Sequence, residues 1–363
     1  MKLSELLSLP LLEEMIAEGY VTQRWHRDYD LAILNYTDKA QFDNKWNPVT
    51  RQCRGLIIRL DDDGQDAEII ARPFPKFFNY GQPGADEIDL DERAKVMDKV
   101  MDKVDGSLGI LYRTPDDKLA VATRGSFHSE QAEWATAWLH ESLEPEEIER
   151  LYDWTGTFTD LFEIIYPENR IVVDYGKAER LVYLGSIHDA TGEFRRFWVR
   201  GVPEAALLGG SLREALDLEP RENAEGVVVA TLDGRAVKLK QEDYLLKHKA
   251  RFNLTPLRVW EAWAGDVQLS DFLAGLPDEF HDAAMEAWGS VETNALAREL
   301  VVLSDHALIP DAPRKEQAAW IFENSPEYAA ELFALLDNNT AKFDAAIVKA
   351  VRPWGPNATR LIA

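Results

Sequence analysis

Lys103-Val104-Asp105-Gly106-Ser107-Leu108-Gly109-Ile110-Leu111-Tyr112 sets a lysine and an Asp-Gly turn directly ahead of an apolar run. Such a run, bounded by turn residues, reads as a strand, and Gly106 lets another group approach the backbone closely. A lysine at the mouth of a strand is one way to present an amine nucleophile. The same four residues, K-x-D-G, also fit a surface lysine beside an ordinary turn. The decision therefore rests on what surrounds them.

On both sides of this stretch the chain alternates short apolar runs with turn residues, the texture of antiparallel sheet. The runs are 31–36, 55–60, 68–71, 109–112, 119–123, 158–165, 170–173, 181–187, 226–230 and 236–239. Asp233-Gly234 between the last two marks a hairpin. Residues 1–19 read as one short amphipathic helix, and helical patterning is expected over Ser129–Leu143 and Glu204–Ala215.

Past residue 250 strand signals stop. Thr255-Pro256 and Ser325-Pro326 look like N-caps followed by proline in the first turn. Asp278–Leu303, Asp311–Glu323, Pro326–Leu336 and Ala341–Val351 carry apolar residues at helical spacing, with Trp260, Trp263 and Trp288 as packing residues. The expected organisation is an α+β, antiparallel-sheet domain over 1–245 followed by an all-helical domain over 250–363. The tetrad at 96–99 recurs at 100–103, but two copies make no repeat architecture.

Composition narrows the function. The 363 residues are 46% hydrophobic and hold eleven tryptophans, enough for real cores and too much for a disordered chain. A net charge of −24 argues against binding nucleic acid through bulk charge and leaves room for a local basic pocket. The single cysteine, Cys53, excludes an internal disulfide and a cysteine-rich zinc site. It suits a reducing cytosol, so a cytoplasmic location is expected. No apolar run is long enough to span a membrane. His128 has no partner at metal-ligand spacing and receives no role.

Six further segments accompany the lysine in a definite order. Arg51-Gln52-Cys53-Arg54-Gly55 and Pro75-Lys76-Phe77-Phe78-Asn79-Tyr80 precede it. Thr123-Arg124-Gly125-Ser126 with Ser129-Glu130-Gln131-Ala132, then Phe162-Glu163 with Pro167-Glu168-Asn169-Arg170-Ile171-Val172, follow. Glu225-Gly226 and Lys238-Leu239-Lys240 complete the series. The set resembles the covalent nucleotidyltransferases, and within them the phage-type RNA ligase 1 family, over about residues 30–245. Beyond residue 250 only a helical appendage of similar length corresponds. One position departs from the family pattern: Arg124 stands where a lysine is usual, which keeps the charge and changes its geometry.

The resemblance implies an ATP-grasp-like ligase fold and three steps, each with Mg²⁺ or Mn²⁺. Lys103 takes AMP from ATP, AMP passes to an RNA 5′-phosphate, and a 3′-hydroxyl displaces it to form a phosphodiester. Physically, an ordinary lysine with a pKa near ~10.4 is almost wholly protonated at neutral pH, and nearby cations favour its neutral form. Lys238 and Lys240 share one face of a strand by period two and are placed with Lys103 in the catalytic group. Glu163 and Glu225 sit in or beside buried-looking strands, where a metal or a ribose hydroxyl would make a carboxylate reasonable. The resemblance gives Glu225 to the metal and Glu163 to the nucleotide pocket and the metal. It gives Arg54, Lys76 and Arg124 to phosphate groups, and Asp105 and Gly106 to the nucleotide. Phe77, Phe78, Tyr36 and Phe162 fit either the core or a wall of the adenine site. Tyr36 and Phe162 are kept with the nucleotide residues.

The expected partner is RNA bearing 5′-phosphate and 3′-hydroxyl ends, as in tRNA repair, with a companion polynucleotide kinase/phosphatase and a monomeric chain. The helical domain is expected to select RNA. Nick-sealing ligases and GTP-using capping enzymes remain alternatives, disfavoured because no oligonucleotide-binding barrel follows Lys240. A non-catalytic RNA-end-binding protein would need no lysine nucleophile.

Overall fold

The computed structural model describes residues 1–60, 64, 66–88, 99–242, 244, 254–274, 276, 280–355, 358, 359 and 362. Two compact units divide the chain, Met1–His248 and Lys249–Ala363. The boundary residues, and the first copy of the tetrad near residue 96, lie outside the described residues.

Three sheets build the first unit. Sheet one orders β1 (Val21–Trp25), β2 (Leu31–Tyr36), β3 (Arg54–Leu60) and β4 (Ala67–Ala71) as an antiparallel meander. A second sheet begins at β7 (Ser107–Arg113) and β8 (Leu119–Thr123), continues through β9 (Phe158–Ile165) and β10 (Arg180–His188), and ends on β11 (Phe194–Arg195). Its spatial order is β11-β10-β9-β7-β8. The third comprises β5 (Phe78–Asn79), β6 (Lys99–Asp102), β12 (Leu207–Gly209), β13 (Gly226–Ala230) and β14 (Ala236–Lys240), in the order β12-β6-β13-β14-β5. Among the described residues every strand-to-strand ladder is antiparallel except the two-residue parallel step from β14 to β5. The hairpin at Asp233-Gly234 forms, with Gly234 at φ +86°.

Period-two patterning sends alternate residues of each sheet into different cores. Leu31, Ile33, Ile57, Met101, Ile110, Leu161, Ala230 and Ala236 join where the three sheets face one another. On the outer face of the second sheet, Leu111, Phe162 and Ile164 pack on Ala135 and Leu139 of helix 130–142 and Leu151 of helix 145–154. Met15, Ala32, Leu34, Cys53 and Ile58 close a third core under the N-terminal helices. Each fully buried Leu, Ile or Phe contributes about 1.5–3 kcal/mol by area. Burial pushes the Cys53 thiol up to about 12.

Several sequence expectations need correction. The opening forms two helices, Leu3–Leu6 and Leu9–Ala17, because the Ser8 hydroxyl caps the second by accepting from Leu11 N–H. Glu204–Ala215 is not one helix: Gly209 and Gly210 interrupt it, leaving β12 and a short helix, Leu212–Leu216, capped by Ser211. Residues 170–173 form no strand, since the amides of Val172 and Val173 donate to Asp105 Oδ2 rather than to a neighbouring strand.

The second unit is helical among its described residues. Its longest helix, His281–His306, buries Ala295 and Val302 against Ile321, Leu332, Phe343 and Ile347. Thr255 caps its helix as expected, accepting from Arg258 N–H. Ser325 does not cap; its hydroxyl donates to Asp305 instead. Trp288 is buried beside Phe272, and the Trp260 indole donates to the Val348 carbonyl. Asp278 lies outside the described residues.

Candidate active site

Lys103 follows β6 by one residue, and its backbone N–H donates to the Gly226 carbonyl at the start of β13. Gly226 in turn pairs in register with Lys240. Two lysines thus flank a residue with no side chain. Glycine is required there: the backbone has φ +147°, and a Cβ would lie 2.0 Å from the Leu239 carbonyl oxygen. Into this gap reaches Glu225. Its Oε2 accepts from Lys103 Nζ at 2.6 Å and its Oε1 from Lys240 Nζ at 2.8 Å.

Glu225 is only 2% exposed. Burial opposes its ionisation, but Lys103 and Lys240 outweigh that and hold the carboxyl below its ordinary range. Glu163, on β9, faces the same space. Its Oε1 accepts from Gly106 N–H at 3.0 Å. Burial pushes Glu163 up to about 8; Lys103 pulls it down, while the like charges of Glu225 and Asp105 add to the rise. A Cβ at Gly106 would meet the Ile164 carbonyl oxygen at 2.6 Å, so this glycine is set by the closeness of β9.

Asp105 has a different occupation. One oxygen accepts from the amides of Val172 and Val173, and the other from the Tyr244 hydroxyl, all at 2.8 Å. It clamps the 172–173 segment beneath the lysine. Ser107 Oγ donates to Asn169 Oδ1 at 3.0 Å, and Asn169 Nδ2 donates to the Ile164 carbonyl, so two of the quoted motifs are tied directly.

A second group of cations gathers around Tyr36. Arg124 donates to the Tyr36 hydroxyl at 2.8 Å, and Lys76 Nζ lies 3.5 Å from the same oxygen and 3.2 Å from Gln41 Oε1. Lys76 is 6% exposed, with its ammonium 5.0–5.5 Å from the ring centroids of Tyr36, Trp46 and Phe78. The strand bearing Phe78 pairs with β14, and Asn79 stands opposite Lys238. Lys238 shares the face of Lys240 by strand alternation, as its spacing suggested.

Other expected residues lie elsewhere. Arg54 sits over the Phe77 ring, 5.4 Å from its centroid, and its guanidinium approaches the Phe74 carbonyl. Phe162 does not reach the pocket. It neighbours Glu163 on one strand, so it points to the opposite face, where it is fully buried against Tyr183. That is a correction: two adjacent strand residues cannot serve one side of a sheet. Gln41, Trp46, Tyr175 and Tyr244 also shape the site, and no local pattern marks them.

The chain is similar in sequence to known RNA ligases. A family model described as RNA ligase matches residues 52–208. RNA ligase 1 of Bacteriophage TS2126 is 28% identical over 323 residues, covering 81% of this chain and 78% of that protein. A protein of Autographa californica nuclear polyhedrosis virus, named for polynucleotide kinase and RNA ligase activities, is 26% identical over 248 residues. That match covers 62% of this chain, which spans about a third of the viral protein's length, 34%. An archaeal ATP-dependent RNA ligase structure aligns with 92% of this chain and 87% of its own at 15% identity and a TM-score of 0.46. The chain is thus similar to the RNA ligase family model through part of its sheet domain, and to a phage RNA ligase along most of its length.

Proposed function

We propose that the chain joins RNA ends with ATP, Lys103 carrying AMP between them. The observation that supports this most is the pairing of Lys103 and Lys240 on buried Glu225 with Glu163 alongside. A purely structural ion pair needs neither a second lysine nor a second buried carboxyl.

In the first step the Lys103 amine attacks the α-phosphorus of ATP. A P–N bond forms, the bond to the bridging oxygen breaks, and pyrophosphate leaves. The Lys103 ammonium passes its proton through Glu225 Oε2 to solvent, and Lys240 on Oε1 keeps the regenerated carboxylate paired once Lys103 turns to the phosphate. Lys76 and Arg124 receive the phosphate charge, where fixed cations in a shielded pocket act most strongly. In the second step an RNA 5′-phosphate displaces Lys103 and a 5′–5′ pyrophosphate linkage forms. In the third a 3′-hydroxyl attacks that end, AMP leaves, and a phosphodiester remains.

The donor set fits a hard divalent ion, since Glu163 and Glu225 offer carboxylate oxygens and the raised Glu163 carboxyl marks a place where added positive charge is favoured. Magnesium or manganese held there would offset charge at the α-phosphorus. Residues 1–248 carry the chemistry in this reading, and residues 249–363 select the RNA. Among the described residues no helix is long and apolar enough to cross a membrane.

The test is incubation with α-labelled ATP and magnesium. Acid-labile, base-stable label should appear on the chain and vanish in Lys103→Ala. Label surviving in that variant would overturn the assignment of the nucleophile. Labelling by GTP alone would move the reading to capping chemistry.

A further inference from the structure

Away from the adenylation pocket, the fold brings together three residues that the sequence keeps far apart. His26 and Asp28 follow β1, and His128 lies in the turn between β8 and helix 130–142. The imidazoles of His26 and His128 meet edge to face with centroids 4.4 Å apart. One donor atom from each of His26, Asp28 and His128 lies within 4.8 Å of the other two. Among the described residues this is the one such grouping.

Two further observations separate this cluster from ordinary aromatic packing. His128 Nε2 is shielded from solvent and, among the described residues, has no hydrogen-bond partner. A buried ring nitrogen left in that state is costly unless something else engages it. The loop is also folded back: Asp28 N–H donates to His26 Nδ1 at 3.0 Å and brings the carboxylate near the rings, and ligation by His26 releases this one hydrogen bond. Tyr29 and Phe127 wall the His26 ring at 4.6 and 4.9 Å.

We infer that His26, Asp28 and His128 form a binding site for a divalent transition-metal ion of the zinc class. Two imidazole nitrogens and one carboxylate are a recurrent donor set for such ions, completed by water on the open side. Asp28 is exposed and on a loop, so it can close the remaining distance to ligand bonds of roughly 2.0–2.2 Å. Arg24 already joins the same two segments by donating to the Gly125 carbonyl at 3.1 Å. An ion would add a second clasp beside Arg124.

Equilibrium dialysis of the full chain against buffered zinc, with magnesium in excess, tests the site. The unaltered chain should retain one zinc equivalent, and so should Lys103→Ala. His26→Gln and His128→Gln should each lose affinity at least about tenfold, and Asp28→Asn, at an exposed position, should weaken binding while leaving the fold intact. Zinc should raise the melting temperature of the unaltered chain and not that of Asp28→Asn. Retention of no zinc by the unaltered chain, or undiminished retention by all three variants, would overturn the site.

Discussion

Two groups of cations serve one proposed reaction, and they are held in opposite ways. Around Lys103 the ammonium groups are held by a carboxylate: Glu225 takes two of them, and the raised Glu163 carboxyl stands beside it. Around Lys76 and Arg124 the visible partners are the Tyr36 hydroxyl, a Gln41 carbonyl oxygen and three aromatic rings. The first arrangement holds its ammonium groups on a buried carboxylate without a ligand. The second sets its cations against aromatic rings, a hydroxyl and an amide oxygen, where a polyphosphate would meet their positive charge. A site that must hold a nucleophile in waiting and also attract ATP needs both.

The largest effect expected from breaking this contrast is at position 103, where Lys103→Ala should remove self-labelling altogether, read by gel after labelled ATP. Next, Glu225→Ala strands two ammonium groups in a shielded place. A buried pair broken from one side costs about 3–5 kcal/mol, so its urea midpoint should fall well below that of Lys103→Ala. Lys76→Ala should behave differently, weakening ATP use through KM while disturbing stability less, because its ammonium packs against aromatic rings. Equal stability losses for the two variants would erase the distinction.

A smaller effect concerns pH. Between its ordinary value of 4.5 and about 8, the folded chain holds a proton on Glu163 that the unfolded chain has released. Stability therefore falls as pH rises through that window, by at most about 1.4 kcal/mol per unit, and levels off above it. Glu163→Gln should flatten this slope in denaturant titrations at several pH values. The smallest change is Tyr36→Phe, which removes one hydroxyl from Arg124 and should cost about 0.5–1.5 kcal/mol.

The strands most legible from sequence are those whose apolar runs end on clear turn residues, such as 31–36, 119–123, 158–165 and 226–230. Strands hidden from that reading are short or polar: β6 is Lys-Val-Met-Asp, and β5 has two residues, so neither presents a pattern. Ordered motifs brought Lys103, Glu163, Glu225 and Lys240 to attention, and they meet in space. What escaped is what links them. Nothing local announces that Asp105 will clamp residues 172–173, that Tyr244 will cap Asp105, or that His26 will face His128. Those contacts depend on which strand lies beside which, information that no window of sequence contains. Phe162 misled because adjacency in a motif was read as adjacency in the pocket.

Cys53 offers a practical consequence. Its thiol is wholly enclosed, and burial disfavours the reactive thiolate. Alkylating reagents should leave the native molecule untouched and modify it only when the N-terminal layer opens. The rate of that modification, followed by mass spectrometry, becomes an intrinsic clock for local opening of this unit, and the speed at which bound nucleotide slows the clock reports how far ligand binding is felt beneath the first sheet.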